Sequence, residues 1–171
     1  RHSVNAWIFG LVVSSYTLME VLVSSRLALF FQRLEGESVE GAGAWVMLFF
    51  ASLLASRLLF TFWTPKLETF KLIVGCLVLS VICLLAGIFV YPPLLSVAAF
   101  FMGPTYPLLM VKVGKEFAQD LPVVLSRGIA MSSLFVVSMN FMVGAVTDFW
   151  GLRAAFLIAP AFGVFALFLM G

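Results

Sequence analysis

The stretch that decides the fold is residues 72–90, LIVGCLVLSVICLLAGIFV, in which nineteen consecutive positions carry no charged side chain. A helix of this length spans about 28 Å, close to the hydrocarbon thickness of a bilayer. Because lipid offers no partner to backbone N–H and C=O groups, a run this long predicts a membrane-spanning helix. Strands of a membrane barrel would instead alternate between apolar and polar residues.

Five further apolar runs of spanning length accompany this one, at residues 7–31, 44–63, 94–113, 123–146 and 152–170. The predicted connections are a polar loop at 32–43, a turn at Tyr91-Pro92-Pro93, a charged segment at 115–122 and a turn at 147–151. The sequence therefore predicts an all-α membrane protein with six transmembrane helices, which form a single domain over residues 1–171.

The composition excludes several classes of protein. Hydrophobic residues make up 63% of the chain, charged residues 11%, and the mean hydropathy is +1.16. A soluble domain has about 45–50% apolar and about 25% charged residues, so a soluble enzyme and a nucleic-acid binder are both disfavoured. The single histidine, His2, stands at the chain end, and the two cysteines, Cys76 and Cys83, read as packing residues. We therefore expect no metal site and no cofactor.

Basic residues cluster on one predicted side of the membrane, which also holds both chain ends. The other side has only Arg33 and Arg153. By the positive-inside rule, both termini are cytoplasmic. The basic loops either set this orientation alone, or also contact a partner domain and anionic lipid. Their residues, apart from Arg1, are Arg57, Lys66, Lys71, Lys112, Lys115 and Arg127.

Glu20 lies near the middle of the first predicted span. A charged carboxylate at that depth costs several kcal/mol, so Glu20 must be protonated, paired or open to a wet cavity. Tyr16 precedes it by one helical turn and shares its face. We predict that both bind substrate and that Glu20 is the candidate for proton coupling. The alternative is a structural hydrogen bond to a neighbouring helix.

The fourth span contains Gly103-Pro104-Thr105-Tyr106-Pro107. Because neither proline has an N–H, we expect a bend or local unwinding at Gly103, Pro104 and Pro107, which forms either a hinge beside a binding site or a plain packing kink. Thr105 and Tyr106 are the candidate ligand contacts there. Asn140, deep in the fifth span, either contacts a ligand hydroxyl or bonds across helices.

A short internal repeat divides the chain in two. Phe62-Trp63 with Lys66 recurs 87 residues later as Phe149-Trp150 with Arg153. Three spans per unit give the units opposite orientations in the membrane, an arrangement typical of transporters. The sequence therefore predicts two inverted three-helix repeats, at about residues 1–91 and 92–171.

These features together resemble the C-terminal six-helix half of a major facilitator superfamily transporter. Tyr16 to Glu20, and the proline-rich 103–107 stretch, resemble the seventh and tenth helices of the fucose/glucose–proton symporter branch. Residues 144–153, GAVTDFWGLR, resemble the G-x-x-x-D-x-x-G-x-R junction before the last helix. The superfamily's G-x-x-x-D-R-x-G-R-R loop is not reproduced, as is common in C-terminal halves.

The resemblance implies a secondary active transporter of a small, sugar-like polar solute, coupled to protons and working by alternating access. It implies a missing N-terminal six-helix half as partner, and a bacterial inner membrane as location. Two alternatives remain open from the residues: a six-helix binding subunit of an ATP-driven vitamin importer, and an intramembrane enzyme. The enzyme is disfavoured because Glu20 is the one firm reactive group in the spans.

Overall fold

The computed structural model describes residues 2–62 and 68–171, and over these residues the chain forms helices and no strand. The helices are α1 (His2–Leu34), α2 (Val39–Phe62), α3 (Thr69–Phe89), α4 (Leu94–Met102), α5 (Thr105–Glu116), α6 (Leu121–Trp150), α7 (Leu152–Phe156) and α8 (Ile158–Met170). Helices α4 and α5 share one apolar stretch, as do α7 and α8, so the described part of the chain contains six candidate spans. The prediction of a six-helix, all-α membrane protein is confirmed.

The outer surface of the bundle is apolar. Phe62, Phe141 and Phe168 are 86%, 78% and 80% exposed, and many leucine and valine side chains are exposed around them. Soluble monomers rarely expose apolar patches above a few hundred Å². Acyl chains are the environment that such a surface requires, and the chain is therefore an integral membrane protein.

The helices extend further into the polar segments than the sequence indicates. The loop predicted at 32–43 is present but shorter, at residues 35–38, because α1 continues to Leu34 and α2 begins at Val39. Likewise α6 runs to Trp150, and the predicted turn at 147–151 shrinks to Gly151, whose φ of 85° is open to glycine but rarely to other residues. Charged residues mark the end of an apolar run, but the helix itself can continue past them into water.

Two of the six spans are interrupted. The fourth breaks at Gly103–Pro104, between α4 and α5, inside the stretch where the sequence predicts a bend. The sixth breaks at Leu157, between α7 and α8, which the sequence analysis did not predict. Pro160 explains this second break, because its missing N–H cannot bond to the carbonyl of Phe156.

Packing places two helices at the centre of the bundle. Helix α1 packs against α6 and α8 and, less extensively, against α2. Helix α4 packs against α2 and α3, and α3 in turn packs against α8. The core consequently lies along the buried faces of α1 and α4, with residues such as Met19, Leu22, Phe30, Ala99 and Met102 almost fully buried.

Small residues let these helices approach closely at two places. A Cβ atom added at Gly103 would lie 1.9 Å from Ser56 Oγ and 2.7 Å from the Leu53 carbonyl oxygen of α2. At the back of the bundle, a Cβ at Gly163 of α8 would lie 2.5 Å from Val81 Cγ2 and 2.9 Å from Met19 Sδ. Close approach of small residues is the usual basis of helix association in membranes.

Replacing Gly103 with alanine tests the first of these contacts. We expect Gly103→Ala to destabilise the protein by roughly 1–3 kcal/mol, because the backbone of α2 must shift to admit the methyl group. Gly144→Ala is the matched control, since a Cβ at Gly144 meets no atom within 4 Å. Thermal unfolding in detergent measures both; equal midpoints for the two variants would contradict the packing described here.

Candidate functional site

A cavity of about 600 Å³ opens between α1, α2, α5 and α6. Its wall includes Tyr16 and Glu20 from α1, Arg57 from α2 and Tyr106 from α5, with Ile129 among the residues from α6. Among the residues that the structure describes, α3, α7 and α8 contribute nothing to it. The cavity therefore lies on the flank formed by the first, second, fourth and fifth spans, and the third and sixth spans pack behind it.

Tyr16 and Glu20 stand one turn apart on α1, and they are in direct contact. The Tyr16 hydroxyl donates to Glu20 Oε2, and it also lies 2.7 Å from the Met102 carbonyl oxygen at the end of α4. The tyrosine ring is only 1% exposed, whereas the Glu20 side chain is 22% exposed at the cavity. Glu20 is therefore hydrogen-bonded and still within reach of a ligand.

Arg57 is the cation that pairs with Glu20. Its Nη2 lies 3.3 Å from Glu20 Oε1 and 3.5 Å from Oε2. The prediction that Arg57 lies in a cytoplasmic loop is wrong, because Arg57 lies inside α2, five residues before Phe62. An arginine within a span requires an anionic partner or water, and Glu20 together with the cavity supplies both.

The break in the fourth span completes the network. Pro107 has no N–H, so the carbonyl of Gly103 lacks its normal helical donor. Arg57 Nε donates to that oxygen at 3.2 Å, while the neighbouring Met102 carbonyl accepts from Tyr16. The Gly103 carbonyl, which Pro107 leaves without a donor, thus accepts from a side chain of α2, and the Met102 carbonyl beside it lies within hydrogen-bond distance of a side chain of α1.

This arrangement offers hydrogen bonds to both protonation states of Glu20. The Tyr16 hydroxyl carries one proton and therefore donates to one acceptor at a time. When Glu20 is ionised, its carboxylate accepts from Tyr16 and from Arg57. When Glu20 is protonated, its carboxyl can donate to the Tyr16 oxygen, which is then free to donate to the Met102 carbonyl. Protonation of Glu20 would therefore move the Tyr16 donor from the carboxylate to the Met102 carbonyl.

The two candidates on α5 have different surroundings. Tyr106 lines the cavity, is 37% exposed, and its ring centroid lies 6.4 Å from that of Tyr16. Thr105 is fully buried, and its hydroxyl lies 3.3 Å from the Phe101 carbonyl oxygen, to which it donates. Thr105 therefore stabilises the start of α5, and it is not among the residues that line the cavity.

Asn140 is not part of the cavity wall either. It is exposed on α6, and its Nδ2 donates to the Val136 carbonyl oxygen at 3.0 Å. Val136 itself lines the cavity, so Asn140 lies one helical turn beyond the wall on the same helix. The structure thus brings together Tyr16, Glu20 and Tyr106, and leaves Thr105 and Asn140 outside.

Among the described residues, the other basic residues assigned to loops lie within helices. Lys71 is in the first turn of α3, 3.5 Å from Glu68, and Lys112 of α5 pairs with Glu116 at 2.6 Å. Lys115 and Arg127 lie within α5 and α6. The predicted positions Arg1, Trp63 and Lys66 fall outside the described residues.

The functional residue that sequence reasoning missed is Arg57 as a partner of Glu20. A signal for it was present, because Arg57 lies within the predicted second span at 44–63 and a charge inside a span needs a partner. Arg57 is followed in the sequence by Lys66 and Lys71, and its charge was therefore attributed to the same basic loop. Two opposite charges in adjacent spans would have been sufficient to propose the pair.

Comparison of the sequence with models of known protein families finds no match, and neither does comparison with curated proteins.

Removing the tyrosine hydroxyl tests the network. We expect Tyr16→Phe to lower stability by about 1–3 kcal/mol, because it takes a hydrogen-bond donor from Glu20 and from a buried carbonyl. Tyr91→Phe is the matched control, since Tyr91 is 60% exposed, and we expect its midpoint to stay unchanged. Thermal unfolding in detergent gives the comparison, and a Tyr16→Phe midpoint equal to that of the control contradicts the network.

A double-mutant cycle tests the ion pair. We expect Arg57→Leu and Glu20→Leu each to destabilise the protein, and the double variant to recover part of the loss, because no single charge is then left unpaired. The expected coupling is about 0.5–3 kcal/mol, reduced by the partial exposure of both groups. Strictly additive losses would show that the two side chains do not interact in the membrane.

Proposed function

We propose that this chain is one half of a secondary active transporter, which moves a small polar solute across the membrane by alternating access. The observation that carries the proposal is the 600 Å³ cavity with an ion pair within the spans, Glu20 with Arg57, on its wall. Charged residues inside a membrane typically mark a solute or proton pathway. A six-helix half of the same protein is the proposed partner across the cavity.

The packing of the spans supports two inverted three-helix repeats. The first span packs on the fifth and sixth, as the fourth packs on the second and third. Exchanging spans one to three with spans four to six therefore reproduces these contacts, and the third span packs on the sixth as a self-matched pair. The contact between the first and second spans is the exception, since among the described residues the fourth and fifth spans have no comparable one. Inverted repeats with a site between them are a transporter feature, and this pattern is the support for the superfamily resemblance.

A broken helix beside the cavity also supports transport. The break at Gly103–Pro104 brings two carbonyls to Arg57 and Tyr16, at the charged end of the cavity. Interrupted helices in transporters typically stand at the substrate site and absorb the backbone change between states. Gly103, Pro104 and Pro107 would act as this hinge.

Proton coupling through Glu20 is part of the proposal. Its carboxylate reaches the cavity, and its neighbours offer hydrogen bonds to both the charged and the neutral form. Protonation would weaken the attraction to Arg57 and so loosen the tie between α1 and α2. This is the type of change that links proton uptake to a movement of helices.

The proposed orientation places both termini in the cytoplasm of a bacterial inner membrane. Its support is the set of basic residues that the sequence places in or beside the connections between the second and third spans and between the fourth and fifth, and Arg57 no longer belongs to that set. The others would orient the chain, contact anionic lipid or meet the partner half. They are Lys66, Lys71, Lys112, Lys115 and Arg127.

The function is tested with the full-length protein in proteoliposomes that enclose a pH-sensitive dye. L-fucose, D-glucose and short organic acids are added in turn, and we expect at least one solute to carry protons inward. We expect Glu20→Gln to reduce this flux by about tenfold or more, since a neutral amide cannot exchange the proton.

Unchanged solute flux in Glu20→Gln from about pH 5 to about pH 8 would reject the coupling role. Absence of solute movement with every compound would reject the transporter itself. Copurification with ATPase subunits would favour the importer subunit instead.

A further inference from the structure

The cavity is charged at one end and apolar at the other. Glu20 and Arg57 mark the charged end. Phe9 lines the cavity eleven positions earlier on α1, which is about 16 Å along the helix axis. Val113 and Val124 line the cavity as well, and they belong to the small apolar cluster against which Phe9 packs. A ligand that fills this space is therefore elongated, with a polar group at one end only.

The charged end has donors to spare and few free acceptors. Arg57 uses Nε for the Gly103 carbonyl and Nη2 for Glu20, so both N–H groups of Nη1 have no acceptor among the described residues. The Glu20 oxygens already accept from Arg57 and Tyr16. The ligand group that fits here is an acceptor, and a carboxylate matches the planar guanidinium best.

The rest of the wall is poorly suited to a sugar. Half of the lining residues carry purely apolar side chains. The Thr17 hydroxyl donates to the Val13 carbonyl oxygen at 2.9 Å, and the Ser133 hydroxyl donates to the Ile129 carbonyl oxygen at the same distance. Each therefore has no proton left for a ligand. The Thr17 and Ser133 oxygens can still accept, so it is the acceptor groups of a sugar that would stay unpaired along this part of the wall, at about 1–3 kcal/mol each.

We propose that the substrate of this cavity is an organic acid with one carboxylate and an elongated apolar body. The carboxylate binds Arg57 Nη1, and the apolar body lies along the wall toward Phe9, Val113 and Val124. The inference rests on the proposed transport function, and it replaces the sugar-like solute that the family resemblance implies.

Binding to the purified full-length protein in detergent tests the ligand class by isothermal titration. The probes are 4-phenylbutanoate, its amide, the matching amine 4-phenylbutylamine, acetate and D-glucose. We expect 4-phenylbutanoate to bind at least about tenfold more tightly than the amide, because only the acid pairs with Arg57. It should also bind more tightly than acetate, which lacks the apolar body. Tighter binding of the amine or of D-glucose would overturn the proposal.

Variants locate the two ends of the ligand. We expect Arg57→Gln to weaken the binding of 4-phenylbutanoate by about tenfold or more and to change the affinity for the amide little. Arg26→Gln is the matched control, since Arg26 is a second arginine within a span and does not line the cavity. Should Arg57→Gln fail to fold, Ile129→Asn tests the apolar wall. This variant should bind 4-phenylbutanoate several-fold more weakly and bind acetate with unchanged affinity. Equal affinities for the acid in Ile129→Asn and in the unmodified protein would overturn the placement.

The same protein in proteoliposomes separates this inference from the transporter proposal. Binding of 4-phenylbutanoate without its movement across the membrane would leave the ligand class standing and reject transport. Movement of D-glucose without binding of 4-phenylbutanoate would reject the ligand class and leave transport standing. Both would stand if a proton gradient drove 4-phenylbutanoate inward.

Discussion

The structure depends on one electrostatic constraint, which is that neither Glu20 nor Arg57 is stable alone within a membrane. Their pairing holds α1 against α2, and Arg57 Nε and the Tyr16 hydroxyl contact backbone carbonyls at the break in the fourth span. Three separate elements of the bundle are thereby fixed by a few polar atoms. Lipid supplies no competing hydrogen bonds, so this small network fixes how α1 and α2 meet the break in the fourth span.

The same network explains why a broken helix is tolerated at this depth. A proline inside a span normally leaves backbone carbonyls without donors, at a cost of several kcal/mol in hydrocarbon. Here Arg57 donates to the Gly103 carbonyl that Pro107 leaves free, Tyr16 contacts the neighbouring Met102 carbonyl, and both side chains also bind Glu20. The Glu20–Arg57 pair and the break at Gly103–Pro104 therefore depend on each other. A displacement of Glu20 would change the hydrogen bonds at the break in the fourth span.

The sequence alone predicts the six spans, because hydropathy reflects the preference of a side chain for lipid. It also predicts the bend in the fourth span, because prolines interrupt helical hydrogen bonds. It was not sufficient for helix ends, since emergence into water does not stop a helix, nor for the break at Leu157. The site was recovered in part. The depth of a residue in the membrane follows from its position within an apolar run, and this was the basis for choosing Glu20 and Tyr106. The direction that a side chain faces depends on its neighbours, so Thr105 and Asn140 were assigned to a cavity they do not line.

Gly163 has a consequence for how this sequence can change over generations. Helix α8 lies against Val81 and Met19 with no room for a methyl group between them. A lineage that acquires alanine at position 163 must also acquire a smaller residue at Val81 of α3 or Met19 of α1, or lose the close contact between these helices. Substitutions at these three positions should therefore be correlated among descendants of this chain, whereas the lipid-facing phenylalanines should drift independently.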